Sequence, residues 1–246
     1  MKSGQTYDAI AEQYRDSKLL PFRHAIERYT VFQLLGDLRG KTVLDLACGE
    51  GIYARQFRRA GASAVTGVDV SPEMIALAAA EERADPIGCR YVCQDAARFV
   101  SDEPVDVVTA IYLLNYARTA DELASFCRAC FHALKPGGLL VGFNDNVCNP
   151  PLPDRSLSKY GLERTCRHPL REGDIIRYRI TNPDGQVFDF DNYYLAPATF
   201  EQTMRSSGFS DFRWVDASLD PAEPEAAFWE DFLAQKPLAA FTAIRV

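Results

Sequence analysis

The sequence predicts an α/β protein in which helices alternate with the strands of a mostly parallel sheet. Two observations predict this directly. Apolar periodicity switches repeatedly between strand-like runs and helical spacing, and glycines or helix-start signals punctuate each switch. A third refines it. From Asn144 to about Asp191 the alternation breaks at Pro150, Pro151 and Pro153, which exclude a continued helix or central strand. An antiparallel insertion after the fifth strand is expected there.

Residues 41–48 (KTVLDLAC) form a short apolar run entered after Gly40, the pattern of a buried parallel strand. Glycines follow, then a helix over about 52–60 ended by Gly61. Residues 64–70 make a second strand. Ser71, Pro72 and Glu73 supply an N-cap, a first-turn proline and an early acid for a helix over about 72–83, with Met74, Ile75, Leu77 and Ala78 on its inner side. Strands are expected at 89–94 and 105–112. The helix opened at 119–122 runs to Leu134 and stops at Lys135-Pro136-Gly137-Gly138, ahead of a fifth strand at 139–143. Within the insertion, 174–181 and 186–194 alternate polar and apolar residues around Asn182-Pro183-Asp184-Gly185, a hairpin signal. A helix at 198–207, a strand at 212–217, a short aromatic helix or turn at 228–233 and a strand at 241–246 complete the chain.

An apolar fraction of 47% with 25% charged residues places the chain among folded globular proteins. The net charge of −7 argues against a nucleic-acid substrate, which calls for a basic stripe to neutralise phosphates. Arg55, Arg58 and Arg59 are the densest basic cluster and read as a solvated helix face. The N-terminus lacks an apolar signal region, and no apolar run approaches the roughly 20 residues that span a bilayer. Seven irregularly spaced cysteines then read as free thiols, and a cytoplasmic location without a membrane partner is expected. Cys127 and Cys130 fall within the apolar stripe of their helix, beside Leu123, Phe126 and Phe131. They are expected to pack rather than to hold metal.

The chemistry-bearing residues lie at strand ends. Asp45-Leu46-Ala47-Cys48-Gly49-Glu50-Gly51 leads from the first strand straight into a helix, where glycines admit a ligand close to the backbone. Gly49 to Ala54 also fits the dinucleotide pattern G-x-G-x-x-A, so this turn alone does not separate cofactors. Asp69 ends the second strand 18 residues beyond Gly51, placed to accept from both ribose hydroxyls. Asp95 and Ala96 follow the third strand on the same rim, where a carboxylate and a backbone N–H suit an adenine.

The run TVLDLACGEG, VTGVDVSPEMI, YVCQDAA, VDVVTAIYLLNYA and ALKPGGLLV resembles the class I S-adenosylmethionine (SAM)-dependent methyltransferases in order and spacing. The resemblance implies a Rossmann-like, doubly wound, seven-stranded sheet with a reversed C-terminal β-hairpin. It implies one methyltransferase domain over 1–246, with cap helices at 1–35 and a substrate-side insertion at 145–195. It implies SAM as cofactor: the methionine part at Asp45, Ala47, Gly49, Gly51 and Ile111, the ribose at Asp69, and the adenine near Val70, Met74, Asp95 and Ala96. Ala47 stands where the family usually has a glycine. Tyr7 and Tyr14, seven residues apart on one helical face, would cover the cofactor. Through Tyr7-Asp8-Ala9-Ile10-Ala11, Leu113-Leu114-Asn115-Tyr116-Ala117, Lys159-Tyr160-Gly161, Gly208-Phe209, Trp214 and Phe228-Trp229 the chain also resembles bacterial small-molecule methyltransferases such as the toxoflavin-pathway N-methyltransferase. A small-molecule acceptor follows, with a monomer or homodimer left open.

The acceptor wall is expected at Tyr112, Asn115 and Tyr116 after the fourth strand, Asn144 after the fifth, and Tyr193 and Tyr194 closing the insertion. Aromatic faces sandwich a planar ring, and amides hydrogen-bond heteroatoms. Methyl transfer needs no dedicated nucleophile, and the catalytic residue is unassigned. His168 is a candidate base by position alone, whereas His132 lies off its helix's apolar stripe and His24 sits in the N-terminal helical stretch. A nicotinamide oxidoreductase and a non-catalytic SAM-binding module are the competing readings.

Overall fold

The structure, a computed structural model, describes residues 15–151 and 156–246. Strands β1 (Thr42–Leu46), β2 (Ala64–Asp69), β3 (Cys89–Cys93), β4 (Val105–Ile111) and β5 (Leu134–Asp145) are followed by β6 (Leu162–Cys166), β7 (Ile175–Thr181), β8 (Val187–Tyr193), β9 (Phe209–Asp216) and β10 (Leu238–Arg245). The helices are α1 (Tyr29–Leu35), α2 (Ile52–Arg59), α3 (Pro72–Ala84), α4 (Ala120–Ala133), α5 (Pro197–Ser206) and α6 (Glu230–Gln235). A π-helix, Arg23–Arg28, runs directly into α1.

The main sheet has the order β3-β2-β1-β4-β5-β10-β9. β1 pairs in parallel with β2 on one side and β4 on the other, so the strand order reverses there. Four of the five β1 residues are buried because both faces of the sheet are covered, the arrangement that makes a parallel strand read as a continuous apolar run. Alternate residues feed two cores. Val43, Val107, Val141 and Phe143 join α1, α2, the π-helix and the insertion, while Leu44, Val108 and Leu140 join α4 and α5.

β10 runs antiparallel to both β5 and β9, which is the expected reversed hairpin. A nicotinamide site on two successive parallel halves has no counterpart in this half of the sheet. The insertion makes its own antiparallel sheet, ordered β6-β7-β8. The hairpin of β7 and β8 was expected and β6 was not, because LERTC carries a single strong hydrophobe.

Two further expectations are corrected. The Lys135-Pro136-Gly137-Gly138 stop lies inside β5. Leu134 already pairs with Val105, and the ladder slips before Val107 meets Leu139. Gly137 at φ +76° absorbs the slip, so the strand bulges instead of ending. Arg55 is also not on a solvated face: it is 3% exposed, and its guanidinium donates to Glu82 at 2.6 Å and Asp85 at 2.8 Å. Glu82 in turn accepts the N–H groups of Ile87 and Gly88. The pair ties α2 to the end of α3, and only Arg59 of the cluster is exposed. Cys127 and Cys130 pack in the core as expected, Cys127 against Met204.

Phe241 of β10 lies across Gly142 of β5, and a Cβ on that glycine would enter the ring. Gly142→Ala is therefore expected to destabilise the fold by about 1–3 kcal/mol through overpacking, read from urea unfolding midpoints.

Candidate functional site

The carboxyl ends of β1 to β4 share one rim, and the strand-order reversal opens a crevice there. A cavity of about 440 Å³ fills it. Its walls come from four successive strand ends: Asp45, Ala47, Cys48 and Gly49 after β1; Asp69, Val70 and Met74 after β2; Asp95 and Ala96 after β3; Ile111, Tyr112 and Leu113 after β4.

The loop after β1 turns through three left-handed residues, Ala47 (φ 62°), Gly49 (φ 55°) and Gly51 (φ 80°). They serve different ends. A Cβ at Gly49 would meet nothing within 4 Å, whereas one at Gly51 would strike the ring of Tyr91. Gly51 is set back from the cavity wall: it caps α2 and lets Tyr91 pack. Ala47 holds a conformation that disfavours any Cβ.

Asp69 closes this loop from the neighbouring strand. Its Oδ2 accepts the Gly49 N–H and its Oδ1 the Ser71 N–H, both at 2.9 Å. Burial pushes its pKa up, and those backbone donors oppose the shift. Asp45 is 1% exposed, and its Oδ1 accepts from Thr109 of β4 at 2.7 Å. Its Oδ2 has no hydrogen-bond partner among the described residues. Burial raises its pKa to about 7, against the Thr109 hydrogen bond. Glu50 adds a third buried acid, both oxygens unpartnered among the described residues. Asp95 differs: it is exposed, and its Oδ1 caps the turn Ala96–Arg98 through the Ala97 N–H.

The cap lies over the other wall. Glu27 of the π-helix, 1% exposed, accepts from Arg23 and the Tyr112 hydroxyl, each at 2.5 Å, and from the Tyr53 hydroxyl at 2.9 Å. Burial would raise this carboxyl, but the charges of Arg23 and Lys18 and the tyrosine hydrogen bond hold it below its usual range. The Arg23 guanidinium also stacks on Tyr112, 4.9 Å from the ring centre. Tyr112 stands at φ 59°, an unusual conformation for a bulky residue and one that concentrates at ligand sites.

Of the residues expected to hold the cofactor, Asp45, Ala47, Gly49, Asp69, Val70, Met74, Asp95, Ala96 and Ile111 converge on the cavity. Tyr7 and Tyr14 lie outside the described residues. On the acceptor side Tyr112 and Tyr116 line the cavity, and Asn115 lines an adjoining crevice. The other acceptor candidates do not reach either space. Asn144 is buried within the β5–β10 ladder, Tyr193 lies under Arg118, and Tyr194 packs against both cores. His168 is exposed, its Nε2 3.6 Å from Cys166 Sγ, and it lines neither space. Lys18, Ile52, Tyr53, Arg98 and Phe126 line the cavity without having been expected. The Glu27 hub left one trace in the sequence: charged residues at 23 and 27 share a stripe with Ile26, Thr30 and Val31.

Residues 43–138 match the family model of a methyltransferase domain. A ubiquinone biosynthesis O-methyltransferase of Sodalis glossinidius is 33% identical over 138 residues, 54% of each chain. The chain thus spans about half the length of the curated relatives it matches. An S-adenosylmethionine-dependent methyltransferase from Mesorhizobium loti superposes with a TM-score of 0.65 at 19% identity, over 89% of this chain and 97% of that one. The [4+2]-cyclase SpnF superposes with a TM-score of 0.63 at 19% identity, over 98% and 95%. Residues 43–138 are thus similar to a methyltransferase domain, and the fold is the one seen in the SAM-dependent methyltransferase structures. SpnF shows that this fold also hosts other chemistry. Among the described residues no helix is long and apolar enough to cross a membrane.

Two outcomes are expected. Ala47→Gly relieves the left-handed strain and raises Tm by roughly 2–4 °C, seen by differential scanning calorimetry. Because Asp45 holds its proton more tightly folded than unfolded, its contribution to stability falls as pH rises from about 4 to about 7. In urea unfolding, Asp45→Asn should remove up to about 1.4 kcal/mol of this loss per pH unit inside that window.

Proposed function

We propose that the protein is a SAM-dependent methyltransferase that transfers a methyl group to N, O or C of a small planar acceptor. The observation that carries this reading is the convergence on a single cavity of Asp45 and Gly49 from the first strand and its loop, Asp69 from the end of the second and Asp95 from the loop after the third. The donors present suit the cofactor. The unpartnered Oδ2 of Asp45 suits the methionine ammonium. Asp69 keeps lone pairs for the ribose hydroxyls while its N–H donors fix its plane, and Asp95 with Ala96 suits adenine.

SAM supplies a methyl group already activated on sulfur. With the cofactor held by Asp45, Asp69 and Asp95, the methyl group would be presented toward Tyr112 and Tyr116 for attack by an electron pair of the acceptor. The protein aligns the partners and excludes water, which in favourable cases is worth about 7–11 kcal/mol. Tyr112 and Tyr116 stand where they can flank the acceptor, and Glu27 fixes Tyr112 and Tyr53. The methyltransferase relatives support methyl transfer, and the resemblance to the toxoflavin-pathway enzyme supports a planar, secondary-metabolite acceptor.

Calorimetric titration with SAM, S-adenosylhomocysteine and NADH tests the reading. Micromolar binding of the first two and none of NADH is expected. Asp69→Ala should weaken that binding by about a hundredfold, the loss of two hydrogen bonds to a charged group. NADH binding without SAM binding would overturn it.

A further inference from the structure

Three carboxyl side chains gather around the loop between β1 and α2: Asp45 of β1, Glu50 of the loop itself and Asp69 at the end of β2. Asp45 is 1% exposed and Glu50 9%. The donors that reach this group are neutral, the Thr109 hydroxyl for Asp45 and the N–H groups of Gly49 and Ser71 for Asp69. Asp45 Oδ2 and both oxygens of Glu50 receive none among the described residues. A buried carboxylate without a counter-charge takes up a proton, and like charges close by reinforce that tendency. Because Thr109 donates to Oδ1, the proton belongs on Oδ2. Burial raises the Asp45 pKa to about 7. Thr109 and the charge of Lys18, from the turn Ser17–Leu19, oppose the rise, and the charges of Asp69 and Glu50 add to it. The Cys48 thiol and the Tyr53 hydroxyl also face Asp45, and burial pushes both upward, so they stay neutral near pH 7.

We propose that the protein couples cofactor binding to the release of this proton: the ammonium of the methionine end replaces the proton on Asp45 Oδ2, and affinity for the cofactor therefore rises with pH. The inference rests on the methyltransferase reading. The free protein holds the proton and the complex does not, so binding is opposed below the pKa of the free protein and unopposed above it. With that midpoint near 7, about half a proton leaves per ligand at pH 7, and affinity gains about tenfold between pH 6 and pH 8. Glu50 is set back from the cavity wall and acts through Asp45. It is a positioning residue whose charge keeps the proton in place until the ammonium arrives.

Calorimetric titration of the full chain with S-adenosylhomocysteine, in phosphate and in imidazole buffers of different ionisation enthalpy, counts the protons released between pH 6 and pH 8. Asp45→Asn, of the same shape but without the titration, is expected to release none and to bind equally across that range. It should lose about tenfold to a hundredfold of the affinity at pH 8, the worth of a hydrogen bond to a charged group. Glu50→Gln should move the rise in affinity to lower pH and leave the affinity at pH 8 unchanged, which a merely structural defect does not do. 5′-Methylthioadenosine, which keeps the ribose for Asp69 but lacks the ammonium, should release no proton. Binding of S-adenosylhomocysteine without proton release overturns the proposal, and the wild-type count decides this whether or not the variants fold. Release that survives Asp45→Asn, or that accompanies 5′-methylthioadenosine, also overturns it and places the proton on Asp69. An unmoved profile in Glu50→Gln overturns the role of Glu50. Failure of the wild type to bind S-adenosylhomocysteine at any pH would instead overturn the methyltransferase reading.

Discussion

The site depends on one topological constraint, the reversal of strand order between β1 and β4. Parallel strands on either side of β1 draw their following loops apart, and the rim between them cannot be filled by backbone. The chain's main response is to decorate that rim with carboxylates and to hold them from the neighbouring strand. Thr109 of β4 holds Asp45 of β1 through the register in which the two residues face each other. Asp69 of β2 holds the Gly49 N–H of the first loop. Each hydrogen bond crosses between strands, so the shape of the cavity is a property of the sheet and not of any one loop.

A second buried carboxylate performs the matching task for the cap. Glu27 gathers an arginine from its own helix, a tyrosine from α2 and a tyrosine from the end of β4. Removing a single partner from such a network leaves a buried charge unmatched, so the cap, α2 and the fourth strand end are held as a unit. The π-helix that carries Glu27 fits this role, since such turns cluster where a side chain must be re-aimed at a site. The strained backbone of Tyr112 is held in the same way, by Glu27 on its hydroxyl and Arg23 on its face.

The insertion is attached by a third buried acid. Asp145, at the end of β5, accepts from Arg164 of β6 at 2.6 Å and from the Tyr178 hydroxyl of β7. Arg164 also donates to the Pro237 carbonyl, next to β10. These contacts bind the small sheet to the main one at the edge of the crevice where Asn115 and Asn192 lie. Surface pairs on the insertion, such as Arg177 with Asp191 and Arg179 with Asp189, are exposed and contribute little by comparison.

The sequence by itself determined the order and type of the elements, the reversed final hairpin and most of the residues that line the cavity. These rest on local signals: apolar period, turn glycines, the Ser71 cap and acids placed just past strand ends. It did not determine the slip inside β5, the burial of Arg55, the third strand of the insertion or the Glu27 hub. Nor did it show that Asn144, Tyr193, Tyr194 and His168 stand away from the site while Lys18, Tyr53 and Arg98 stand at it. Those outcomes depend on which residues, distant in sequence, meet across a packed interface. A charged or polar side chain reads as solvated until a partner from another element buries it. Only the tertiary structure supplies that partner, because the free energy of burying a charge is decided by its neighbours in space.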